Sequence, residues 1–261
     1  MSISEGLAGT VLSMGSSGPV VENIQKALRC AGHELVVDGI FGHCTKLAVM
    51  KFQAARSMTV DGRVGPNTAR ALDVAATAHP VAVHKPEPSV IVDAPHLAVM
   101  RALTGTMEIP GAKSNPLIMS WRDEIISLYP DIAQNIRWFV DDDTPWCGLA
   151  AAYAVACCAF KPPVAPLAAA NWARWGVALP EPIPGAVMVF KRPGGHHVAF
   201  YEGEDMRSYH VRGGNQANTV NVTRVAKDRL IAIRWPADYP VPVDSGRVQL
   251  AENGTVSTNE A

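Results

Sequence analysis

No stretch of this chain reads as a membrane span, because charge or proline breaks every apolar run short of the ~18 residues a crossing helix needs. Met1 to Gly6 lack the basic start and apolar core of a secretory leader. Synthesis in the cytoplasm, followed by release through some other route, is therefore expected. Net charge is nearly absent: 23 Lys and Arg against 24 Asp and Glu leave −1, too weak a field to argue for nucleic acid or an anionic membrane as partner. Cysteine is sparse as well. Cys30, Cys44, Cys147, Cys157 and Cys158 form no C-x-x-C pair, which argues against a disulfide scaffold and a cysteine zinc site and fits a reducing compartment. Neither H-x-H nor H-E-x-x-H occurs, so no metal or other cofactor is expected. Glycine (21) and proline (20) are plentiful, pointing to many turns and an extended linker.

The first third of the chain carries an internal repeat. Val37-Asp38-Gly39-Ile40-Phe41-Gly42-His43-Cys44-Thr45 recurs 23 residues later as Val60-Asp61-Gly62-Arg63-Val64-Gly65-Pro66-Asn67-Thr68. Each copy has an Asp-Gly turn, a second glycine and a threonine suited to begin a helix. One helix is expected from Ser17-Gly18-Pro19, with Val21, Ile24 and Leu28 on one face. A second is expected from Thr45 through Gln53, and a short third over 67–72. Residues 7–73 thus predict a small three-helix bundle, too small for a deep active site. The repeated Gly and Thr read as structural rather than as ligand contacts. A Cys30–Cys44 bridge or a His43/Cys44 metal pair stays open, against the plainer reading of partnered or exposed side chains.

The segments Gly15 to Leu28, Val37 to Gly42 and Ala48 to Gln53, with the duplicated turn, resemble the peptidoglycan-binding three-helix domain. That resemblance covers the module and implies bacterial peptidoglycan as partner. Beyond it, residues 74–96 contain Pro80, Pro86, Pro88 and Pro95, a spacing that forbids a continuous helix and favours a semi-rigid tether. His79, His84 and His96 have no ligand spacing there.

Residues 97–237 change character midway. Helices are expected over 97–104, 117–127 and 167–175, and along the apolar run Gly148 to Phe160, which should be buried all round. Period-two patterning then marks strands over 186–190, 198–201, 208–211, 219–223 and 230–235. Helices followed by an antiparallel meander predict an α+β domain, with the apolar helix against one sheet face. Residues 238–261 are polar and are expected to form a tail with little order.

Thr144-Pro145-Trp146-Cys147 stands directly before that apolar run. Thr as N-cap and Pro at the first helical position would put Cys147 in the first turn. Unpaired N–H groups and the helix dipole there can lower a thiol pKa from ~8.5 to about 3.5–7.5, producing a nucleophilic thiolate. The neighbouring Asp141, Asp142 and Asp143 oppose ionisation unless they face solvent or cap the helix. His197 stands at the start of the second strand as a candidate base, preferred to His196 because it abuts the strand. Asn215, at the end of the third strand, could orient the ring. Taken singly, each has a plain alternative: a core cysteine, a turn histidine, a Gly-Gly-Asn turn. Trp146 could line a cleft or pack.

The motifs Glu108 to Pro116, Thr144 to Gly148, Ala170 to Leu179, Pro184 to Phe190, His197 to Tyr201 and Gly213 to Gln216 resemble the CHAP/NlpC-type, papain-like cell-wall hydrolases. Phage and prophage endolysins are the nearest in kind. The resemblance implies a papain-like α+β domain that cleaves an amide in the peptide part of peptidoglycan, acting as a monomer without metal, with Cys147, His197 and Asn215 as the catalytic set. Asp141 stands where papain-like proteases carry a glutamine, so the backbone N–H of Cys147 is the oxyanion donor that can be named. Three alternatives stay open: a metal-dependent amidase or carboxypeptidase, a wall-binding protein without activity, and a secreted interbacterial toxin.

Overall fold

The computed structural model describes residues 2–7, 9–33, 35, 37, 39–59, 61–78, 94–111, 113–242, 245–252 and 254–260. Most of the expected tether, with His79 and His84, lies outside the described residues, as do Asp38 and Val60 of the repeat. The chain forms two compact units, residues 1–90 and 91–261.

The first unit holds α1 (Ile3–Leu7), α2 (Pro19–Cys30), α3 (His43–Ala55) and α4 (Pro66–Ala78). Val21, Ile24, Leu28, Phe41, Val49, Phe52, Val64 and Leu72 form its core, joined by Ile3 and Leu7 of the unexpected α1. Asp73 holds α1 by accepting from Ile3 N (2.7 Å) and Ser4 N (3.0 Å). Helix α4 runs on to Ala78, into the stretch expected as tether, because Ala75, Ala76 and Ala78 are strong helix formers that meet no proline.

The repeated turns are closed from the preceding helix. Gln25 of α2 accepts from Gly39 N (2.9 Å) and donates to Ile40 O and Thr45 Oγ1 (both 3.0 Å). Gln53 of α3 accepts from Gly62 N (3.0 Å) and donates to Arg63 O (2.9 Å) and Thr68 Oγ1 (3.3 Å). Gly39 and Gly62 have φ of 70° and 66°, a region other residues rarely enter, so the glycines belong to the turn itself. Thr45 and Thr68 lie within the first turns of α3 and α4, where their hydroxyls meet the glutamines.

The second unit is α+β. Helices α5 (Pro95–Ala102), α6 (Pro116–Leu128) and α7 (Cys147–Ala156) precede the sheet, with short 3₁₀ turns at Pro130–Asn135, Ala169–Arg174 and Lys227–Arg229. The strands are β1 (Val177–Ala178), β2 (Val187–Arg192), β3 (Gly195–Glu204), β4 (Ser208–Gln216), β5 (Thr219–Ala226), β6 (Leu230–Trp235) and β7 (Val256–Ser257). Their order is β1-β6-β2-β3-β4-β5-β7, antiparallel except for the parallel β5–β7 edge. All ten residues of α7 are buried, as its apolar composition requires. A side chain at Gly148 would strike Pro166 O at 2.3 Å, and one at Gly214 would strike Ala150 and the Trp146 ring at 2.5 Å. Gly214, near the end of β4, is therefore where α7 rests on the sheet.

The end of the chain corrects the expected loose tail. Glu204 N donates to Val248 O and Leu250 N to Glu204 O (both 2.8 Å). Leu250 fills space that any side chain at Gly203 would occupy, and β7 pairs with β5. Glu260 is 2 % exposed. The segment lacks a periodic apolar pattern because it is held by polar bonds to the sheet rather than by an apolar face.

Candidate active site

Thr144 is not the cap of α7. Its N–H and hydroxyl both donate to Asp141 Oδ1 (3.0 and 2.8 Å), closing a turn that competes with capping. Trp146 takes the N-cap position without a capping bond from its side chain, and Cys147 is the first helical residue. Its N–H therefore has no acceptor within the helix. Trp146 is packing rather than cleft wall: it is fully buried, edge-on to Trp121, and its Nε1 donates to Glu108 Oε2 (3.1 Å). Asp142 faces inward, accepting from Asn115 N (2.8 Å) and Ile109 N (3.3 Å), so it staples the 107–115 loop. Only Asp143 of the three aspartates is exposed.

The pairing of β2 with β3 sets His197 opposite Phe190, on a buried position, while His196 is exposed opposite Lys191. His197 is 1 % exposed and its ring neighbours the thiol of Cys147, itself 5 % exposed, closely enough that each shifts the other's pKa. Burial alone would push the Cys147 thiol up; the His197 hydrogen bond and charge, the Val198 amide and the charge of Arg192 outweigh it and hold the thiol below its ordinary value. Burial likewise opposes protonation of His197. The bond to Cys147 and its charge, then the charge of Glu260 and the Gln216 bond, hold the ring above its ordinary pKa. Such a pair favours thiolate and imidazolium together.

The amide on the ring is Gln216, not Asn215. His197 Nε2 lies 3.0 Å from Gln216 Oε1, and Asn215 makes no hydrogen bond to the ring. Gln216 Nε2 donates to Asn221 O (2.7 Å), Asn221 Oδ1 (3.0 Å) and Val211 O (3.3 Å). With the nitrogen so engaged, Oε1 must accept, which assigns the proton to His197 Nε2 and leaves Nδ1 for the sulfur. The displacement by one residue has a backbone cause. Asn215 adopts φ of 55°, and the β4–β5 register shifts between Gly213 and Gln216. Strand alternation breaks there, so counting residues along β4 selects the wrong amide. Glu260 also escaped sequence reasoning, since nothing in its polar surroundings signals a carboxylate beside the site.

Comparison with known proteins gives matches to parts of the chain. Residues 17–72 match the family model "Putative peptidoglycan binding domain", so the first unit carries a domain of that kind. A zinc D-Ala-D-Ala carboxypeptidase of Streptomyces albus G is 45 % identical over 62 residues, 22 % of this chain. The match spans about a quarter (24 %) of that relative's length. Among solved structures, the SleB N-terminal domain is 35 % identical, with 26 % of this chain and 93 % of that one covered and a TM-score of 0.25. A peptidoglycan-binding protein from Clostridioides difficile is 34 % identical, covering 25 % of this chain and 41 % of that one, also at 0.25. A fused Zn-dependent amidase/peptidase/peptidoglycan-binding protein from Clostridium acetobutylicum is 25 % identical, covering 46 % and 43 %, at 0.24.

Two of these names imply zinc. A catalytic zinc takes three protein ligands. Among the described residues no three His, Cys, Asp or Glu side chains gather closely enough to hold a metal ion, so the donor set does not fit one.

Proposed function

We propose that the chain is a peptidoglycan hydrolase of the endolysin type. In this reading the first unit holds the cell wall, and the second, a CHAP/NlpC-like cysteine hydrolase, cuts an amide in the peptide part. It acts on the wall after release from the cytoplasm. The observation that carries the reading is the pairing of two buried side chains, Cys147 at the first residue of a buried helix and the ring of His197, with Gln216 on that ring's Nε2.

The chemistry follows from that pair. The Cys147 thiolate attacks the scissile carbonyl carbon, forming a C–S bond and moving charge to the oxygen, where the Cys147 N–H is a donor. His197 gives its proton to the leaving nitrogen as the C–N bond breaks, leaving a thioester on Cys147. Water then attacks, His197 takes its proton, and the carboxylic product departs with the thiolate restored. Gln216 keeps the ring in one tautomer through both steps.

Purified peptidoglycan incubated with the protein should gain free amines, and mass spectrometry of the fragments identifies the bond. Activity should survive a chelator and be lost to a thiol alkylator. Loss to the chelator alone would instead support the metal amidase suggested by the names of the zinc-dependent relatives.

A further inference from the structure

The last described residues bracket the strand that carries His197. Asn259 Oδ1 accepts from Arg192 Nη1 (2.9 Å) at the end of β2, while Glu260 O accepts from Ala217 N (3.2 Å), next to Gln216. The Glu260 carboxylate is clamped by Arg229 Nη1 and Nη2 (2.7 and 2.6 Å), and Arg229 Nε donates to Lys191 O (2.8 Å), opposite His196. These bonds fix Glu260 to β2 on one side of β3 and to the β4–β5 turn on the other. A carboxylate sealed from water at that point acts on its surroundings with little screening.

We propose that Glu260 is a positioning residue of the site: clamped by Arg229, its negative charge stabilises the protonated His197 ring that faces Cys147. This rests on the Cys147–His197 reading of the site. The other groups around the ring cannot substitute for it. Gln216 on β4 is neutral, Arg192 on β2 and Arg229 are cationic, and Cys147 on α7 is the reaction partner. His196, on the same strand, is exposed. The effect on each partner has the expected sign. Burial works against both charges, yet Glu260 is among the groups that raise the His197 pKa, and the His197 charge is among those that lower the pKa of Glu260, after the Arg229 bond.

The test titrates the full chain by NMR, labelled at the histidine ring nitrogens and glutamate carboxyl carbons, with His197→Ala used for assignment. Glu260→Gln should lower the His197 midpoint by about half a pH unit or more, and Glu260→Asp should retain most of the wild-type value. An unchanged midpoint in folded Glu260→Gln overturns the proposal. Should that variant not fold, the unmodified protein decides. The Glu260 carboxyl signal must then show a second inflection at the His197 midpoint, and a single acid inflection overturns the proposal. Neither readout uses wall cleavage. A protein with coupled titrations that leaves the wall intact loses only the functional reading, and a lytic protein with uncoupled titrations loses only this inference.

Discussion

In the first unit, Gln25 and Gln53 each use both ends of the amide on the turn they close, oxygen to a glycine N–H and nitrogen to a carbonyl and a threonine. In the second unit, Gln216 uses its nitrogen the same way, on Asn221 and Val211, but its oxygen goes to the His197 ring. All three amides are buried. What separates scaffold from site is the nature of the last partner: a backbone N–H that never changes state, or a ring nitrogen whose neighbour gains and loses a proton. A buried amide becomes part of the chemistry when one of its ends meets a titrating group.

The severest way to break this comparison is to remove the reacting atom. Cys147→Ala should cut amine release from peptidoglycan by about 10³-fold or more while co-sedimentation with insoluble wall is kept. An active variant would end the division of labour between the units. Next, Gln216→Leu should lower kcat/KM by roughly 10–100-fold, the worth of a hydrogen bond to a charged group, whereas Asn215→Gly should stay near wild type. Equal losses in both would return the orienting role to Asn215. In the first unit, Gln53→Ala should cost about 3 kcal/mol by leaving several buried turn groups without a partner. Urea unfolding reads that loss, and the rate of Cys147 alkylation should not move.

The smallest effect sharpens the claim that partners, not burial, set a ring's charge. His96 is as buried as His197, but its Nε2 meets only Gly185 O (2.7 Å) and its Nδ1 has no partner, and burial pulls its pKa down to about 4. Its folded pKa lies below the unfolded 6.5, so the unfolded chain binds the proton first and stability falls as pH drops from 6.5 toward 4. The loss should reach about 1 kcal/mol near pH ~5.5 and shrink in His96→Gln, read by chemical denaturation. His197 has the opposite sign: its raised pKa stabilises at low pH, and that contribution is lost as pH rises through the folded value. Lowering of the Cys147 pKa and raising of the His197 pKa bring the two titrations toward each other and favour the thiolate–imidazolium form, so kcat/KM should decline on either side of an optimum pH.

Much of the architecture was legible because it obeys simple periods. Helix α2 begins close to where Ser17-Gly18-Pro19 announces it, α5 and α6 begin within two residues of the expected 97 and 117, and period-two runs mark five of the seven strands. Of the residues that the structure brings together, Cys147 and His197 were legible because each stands near the start of an element. Gln216 was hidden by the left-handed backbone of Asn215, which no count of alternating residues anticipates. Glu260 and the docked 245–260 segment were hidden because bonds such as Arg229–Glu260 depend on partners distant in sequence. Trp146 was ambiguous until Glu108 appeared as the acceptor for its indole.

The seat of α7 has a consequence for how such a site can diversify. With Gly148 against the carbonyls of Pro166 and Leu167, and Gly214 against Ala150 and Trp146, a methyl group at either glycine forces a shift where α7 is seated, the helix that begins at Cys147. Change in this unit must therefore fall on positions free of that constraint. Exposed side chains that lead up to the helix, such as Trp138, Val140 and Asp143, can change without disturbing that seat.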